Sequence, residues 1–147
     1  MPIKTFRALI KDADTDIISL HTNNGETGYR IVKLQIIAED PGSENNVGVL
    51  KVYKIPQSGT PTSKIDLSDN TLIAVATYIA NTDKAIGPQV VIADREVFNQ
   101  DIYITYQDAQ NKNMNYYIEL EQIKMDLSES TVATLKDIRN VYSQITT

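Results

Sequence analysis

The chain has 147 residues, of which 41% are apolar and 22% charged, with a formal net charge of −5 and no cysteine. That is enough apolar material for one domain with its own core, and too much for a disordered chain. Disulfides, thiolate nucleophiles and cysteine-based metal sites are excluded.

The first stretch, "TFRALI", places Phe6, Ala8 and Ile10 on one strand face with Arg7 opposite. "KDADTDIISL" follows and sets Asp12, Asp14 and Asp16 at alternate positions. Alternating aspartates open a calcium loop, but that loop also needs glycine at its sixth position and glutamate at its twelfth. Ile17 and Asn23 stand there instead. The expectation is a capped turn, in which acidic side chains bond to nearby backbone amides, so no metal ligands are assigned. In "DIISLHT", Ile18 and Leu20 share a face, with Ser19 and His21 on the other. His21 is the only histidine, and nothing near it in sequence supplies a nucleophile or an acid partner.

"NNGETG" reads as a turn, and "YRIVKLQIIA" as a strand with Val32, Leu34 and Ile36 on one face and Lys33 and Gln35 on the other. After the loop "EDPGSENN", a fourth strand "VGVLKVYKI" ends at Pro56, and residues 56–70 form a surface excursion. Lys51, Lys54 and Lys64 offer a local basic face, set against the simpler reading of a solvated strand edge. "TLIAVATYIA" is a strand by its β-branched residues, although its alanines also suit a helix. A short strand "QVVIAD" comes after "IGP", and "DIYITYQD" and "NYYIELEQIKMD" read as a hairpin around "AQNKNM".

In the last strand Tyr116, Ile118 and Leu120 share one parity and Ile123 and Met125 the other, which predicts a bulge near Glu121–Gln122. Glu119 and Glu121 lie on one face, as a glycosidase pair would, but alternating glutamates more often mark the wet side of a sheet. Tyr103 falls opposite Ile102, Ile104 and Tyr106, and Tyr116 and Tyr117 face opposite ways, so some of the tyrosines point outward. Outward tyrosine suits a protein interface or a sugar platform.

The chain ends differently. Val132, Leu135, Ile138, Tyr142 and Ile145 recur at three- and four-residue spacing, an amphipathic helix over about 127–145 with Asp126 or Ser128 as its cap. The expected fold is therefore mainly β: one domain over 1–147, a jelly-roll-like β-sandwich of about eight strands with a C-terminal α-helix. No catalytic, cofactor or metal residue is assigned. The acidic balance without a basic run disfavours nucleic acid, and no apolar stretch approaches the ~20 residues of a membrane span. No signal peptide is read at the N-terminus.

Three stretches, "IKTFRALIKDADTDIISLHTNNGETGYRIVKLQII", "REVFNQDIYITYQDA" and "NYYIELEQIKMDLSESTVATLKDIRN", together resemble small virion structural proteins of marine tailed bacteriophages. Residues 40–90 carry little of the likeness. The resemblance implies a non-enzymatic part of a virus particle on the capsid surface, assembled in the host cytoplasm, and carries over no functional residue. A capsid decoration or cement protein is the first expectation. It would bind the major capsid protein or other virion proteins and self-associate in a closed oligomer such as a trimer. A tail, neck or fibre-attachment protein is the alternative within the class, and a carbohydrate- or calcium-binding β-sandwich module the alternative outside it.

Overall fold

The computed structural model describes residues 2–22, 26–42, 45–80, 85–93, 95–125 and 135. Eight strands follow one another: β1 (Ile3–Ile10), β2 (Asp14–Ile18), β3 (Thr27–Ala38), β4 (Asn46–Tyr53), β5 (Leu72–Ala80), β6 (Ala85–Ile92), β7 (Ile102–Asp108) and β8 (Met114–Lys124). They make two antiparallel sheets, one of three strands in the order β1-β8-β3 and one of five in the order β2-β7-β4-β5-β6. The predicted helix over about 127–145 lies outside the described residues, apart from Leu135.

Alternation explains why these segments are strands. On β7, Ile102, Ile104 and Tyr106 are buried while Tyr103 is not; on β8, Met114, Tyr116, Ile118 and Leu120 are buried and the intervening residues partly exposed. One side of each strand faces a core, the other does not. Both sheets feed one core cluster: Ile10, Ile31, Leu34, Ile118 and Leu120 from the first, and Ile18, Leu50, Val52, Ala76, Ile102 and Ile104 from the second. "TLIAVATYIA" is a strand, as its β-branched residues favoured, with its first half buried.

Three local expectations are corrected. Although the sequence suggested a hairpin, β7 and β8 do not pair. β7 sits between β2 and β4, and β8 between β1 and β3, so residues 109–113 carry the chain from one sheet to the other. The bulge lies on the partner strand: β8 pairs without a shift with β1 up to Glu121 and with β3 at Glu121 and Gln122, and the register shifts in β3, between Ile31 and Lys33. Val32 is the extra residue. Tyr29 and Ile31 are buried before it and Leu34 and Ile36 after it, while Val32 itself is exposed. A bulge lets a strand keep its apolar side inward while changing parity. On β1, Ala8 is exposed, since β1 is an edge strand whose burial is confined to Phe6, in part, and Ile10.

Candidate functional site

The acidic and basic side chains singled out by the sequence are distributed among separate structural tasks. Asp12 lies in the turn between β1 and β2, beside Ala13, whose φ of 60° is unusual for a residue with a side chain. The turn is tied to β7 twice: Ala13 N–H donates to Tyr106 O at 2.9 Å, and Asp12 Oδ1 accepts the Asp108 N–H at 2.8 Å. Asp14 Oδ1 accepts the Thr15 N–H at 2.9 Å. Asp16 Oδ2 accepts the Tyr116 hydroxyl at 3.0 Å, a contact between the two sheets. Burial pushes the Asp16 carboxyl up; the Tyr116 bond opposes that and Asp14 adds to it. The three carboxylates thus meet three different partners. Among the described residues, no group of three or more His, Asp or Glu side chains is placed to hold a metal ion.

Asp108, which received no role from the sequence, is the hub of a buried network. Its Oδ2 accepts the Tyr106 hydroxyl at 2.6 Å and Asn46 Nδ2 at 3.0 Å, and its Oδ1 accepts the Gln110 N–H at 2.7 Å and the Val47 N–H at 3.4 Å. Burial and the neighbouring carboxylate push the Tyr106 hydroxyl far above its ordinary range, so it stays a donor. Asp108 shares the parity of Ile102, Ile104 and Tyr106. Alternation alone would have placed this carboxylate inward.

His21 does find an acid, 80 residues away in sequence. Asp101 Oδ1 lies 2.7 Å from His21 Nδ1 and also accepts the amides of Leu20, at 2.8 Å, and His21, at 3.1 Å. Partial burial raises the Asp101 carboxyl, but these three bonds outweigh it and hold the group below the usual aspartate range. The imidazole is largely exposed. No local pattern announces this partner, because Asp101 simply precedes a strand.

Glu119 and Glu121 do lie side by side on the outward face of β8. Glu119 accepts the Tyr117 hydroxyl at 2.6 Å, and that bond, ahead of burial, pushes the Tyr117 hydroxyl up. Glu121 is paired with Arg30, its cross-strand neighbour on β3. The basic face is not formed by its expected members: Lys51 and Lys54 are buried. Lys51 Nζ donates to Lys64 O at 2.8 Å and Thr62 Oγ1 at 3.3 Å, fastening residues 56–70 over β4. Burial lowers the Lys51 ammonium, and Asp69 opposes the shift. Lys54 Nζ lies 3.3 Å from Glu96 Oε2.

Of the tyrosines, Tyr29, Tyr106 and Tyr116 are buried, whereas Tyr53, Tyr103 and Tyr117 keep part of their surface in solvent. The outward tyrosine that alternation requires is present on both strands, as Tyr103 and Tyr117. Tyr53 and Tyr103 are direct cross-strand partners, and Ile17, 61% exposed, continues their row onto β2.

One concavity is an open cleft of about 870 Å³. It is lined by residues 7–9 of β1, 34–37 of β3, 115–117 of β8 and by Pro88 and Val90 of β6. Leu9, Ile37 and Val90 there are exposed, with Ile37 at 59%. Apolar side chains gathered around an open concavity suit either a protein contact or a small-molecule site. No family model matches the chain, and no curated protein matches it.

Proposed function

We propose that this protein is a non-enzymatic structural module that works by docking to neighbouring protein subunits. On its resemblance to virion proteins of marine tailed phages, those subunits form a capsid that it decorates and clamps. The observation that carries the reading is the exposed apolar lining of the cleft, Leu9, Ile37 and Val90. Such surfaces gain free energy when a partner removes them from water. The carboxylates that the sequence singles out already have partners within the fold: Asp12 accepts the Asp108 N–H, Asp16 the Tyr116 hydroxyl from the other sheet, Glu119 the Tyr117 hydroxyl on its own strand, and Glu121 pairs with Arg30.

The architecture we assign is a jelly-roll β-sandwich with a C-terminal helix over about 127–145. The strand orders β1-β8-β3 and β2-β7-β4-β5 support it, since a jelly roll pairs its first strand with its eighth, its second with its seventh and its fourth with its fifth. Here β6 is bonded to β5, where a regular jelly roll would seat it beside β3. Decoration adds stability to a shell by binding only its assembled state.

The test is light scattering of the purified chain, followed by sedimentation with empty shells of the phage that encodes it. A defined oligomer that sediments with shells supports decoration. A protein left in the supernatant overturns it and moves the assignment to tail or neck, or to a glycan- or calcium-binding module.

A further inference from the structure

β1 is loosely committed to the fold. It lies at the edge of the three-stranded sheet and pairs only with β8, from Ile3 opposite Glu121 to Ile10 opposite Met114. Residues 3–5 and 7–9 are exposed, Phe6 is half-buried, and Ile10 alone is closed off from solvent. An edge strand with so little apolar surface in the core is held mainly by its ladder of backbone bonds. That ladder sits on the open side of β8, where one strand can leave and another enter without crossing the core.

The link from β1 to β2 is short and strained. Residues 11–13 carry the chain from the first sheet to the second, with Ala13 at a φ of 60°. Left-handed backbone is costly for a residue with a side chain, because its Cβ crowds the following carbonyl. A short hinge under strain favours exchange of the segment it holds, since the hinge straightens when that segment crosses to a neighbour.

We propose that two copies of the chain exchange β1, each laying the strand against β8 of the other. The second copy fits by identity. The ladder with β8, Phe6 against the core and Lys4 over the ring of Tyr29 are all restored by the same strand arriving from another chain. The exchange relieves two strained hinges. It gives up only the hinge's own bonds, in which Asp12 accepts the Asp108 N–H and donates its N–H to Asn113 Oδ1. Reciprocal exchange closes into a two-fold dimer. None of this depends on the shell invoked under Proposed function.

Because the chain has no cysteine, a thiol pair can be introduced without background. The Gln122 N–H donates to Pro2 O, so Thr5 and Glu119 form one of the non-hydrogen-bonded pairs, whose side chains lie closest. In concentrated solution the full parent chain is expected to scatter light as a dimer. The oxidised Thr5→Cys, Glu119→Cys chain should then run as a covalent dimer on a denaturing, non-reducing gel. Ala13→Gly, which accepts the left-handed backbone without strain, should weaken the dimer by about tenfold for each hinge. A parent chain that scatters as a monomer overturns the inference. So does a disulfide that closes within each single chain, because the copies would then meet through another surface, and so does an Ala13→Gly dimer as tight as the parent's. If copies exchange strands but ignore shells, the exchange stands and the capsid reading falls.

Discussion

Gly48 and Tyr106 face each other so closely that a Cβ on Gly48 would lie 2.0 Å from the Tyr106 hydroxyl oxygen and 2.5 Å from the ring carbon that bears it. That hydroxyl is the one bonded to Asp108 Oδ2, and Asp108 is the register partner of Gly48 across β4 and β7. Glycine is required here by contact, since the backbone of Gly48 does not have a positive φ. Gly48→Ala is therefore expected to displace Tyr106 and break its bond to the buried carboxylate. Overpacking and a lost buried hydrogen bond together should cost about 2–5 kcal/mol. Tyr106→Phe, which only removes the bond, should cost about 1–3 kcal/mol. Urea unfolding of the two variants beside the parent chain measures both, and equal losses would contradict the steric account.

Asp16 and Asp101 are shifted in opposite directions, so their contributions to stability have opposite pH dependence. Burial raises Asp16, which makes its ionised form a cost to the folded state at neutral pH. That cost disappears as pH falls through the raised value toward the ordinary 3.8. Asp101 lies below 3.8 despite its partial burial, because of the bonds from His21 and the Leu20 and His21 amides. Its contribution is present above 3.8 and is lost as pH falls through the depressed value. Asp16→Asn should raise the melting temperature at pH 7, with the gain vanishing in acid. Asp101→Asn should lower it at pH 7, with the loss vanishing in acid. Melting curves between pH 7 and about pH 2 read both slopes.

Lys51 should behave as a fastener. Lys51→Ala removes the donor shared by Lys64 O and Thr62 Oγ1 and leaves a gap beneath residues 56–70. The expected cost is about 1–3 kcal/mol, from lost packing of the stem and lost charged hydrogen bonds. Cleavage by a protease should concentrate at residues 62–67, while the amides of β7 and β8 keep their hydrogen-exchange protection. Protection lost equally throughout would place Lys51 in the core and not at the loop.

Val32 tests the bulge. Its side chain is exposed, so Val32→Lys should change stability by no more than about 0.5 kcal/mol. Deleting Val32 would remove the extra residue between Ile31 and Lys33 and turn Tyr29 and Ile31 away from the core, because a one-residue slip moves every side chain to the other face. The deletion is expected to prevent folding, read as loss of the cooperative unfolding transition. A deletion that melts like the parent chain would show that the register shift is dispensable.

The eight strands were legible in the sequence because alternation is local. Ile18 with Leu20, and Ile102 with Ile104 and Tyr106, declare their inward side within a few residues, and the same parity places Tyr103 and Tyr117 outward. The role expected of the aspartates was legible only in part: Asp14 bonds the adjacent Thr15 amide, whereas Asp12 and Asp16 bond partners 96 and 100 residues away. What alternation does not encode is which strand lies beside which. A polar loop such as 109–113 serves equally to turn a hairpin or to cross between sheets, and only the competition among long-range pairings sends β7 to β2 and β4 while β8 joins β1 and β3. The same non-local choice brings Asp101 to His21 and Asp12 to the amide of Asp108, and it covers Lys51 with a loop that composition marks only as surface. Parity along a strand follows from the backbone geometry of its own residues, whereas neighbours across a sheet are decided by the chain as a whole.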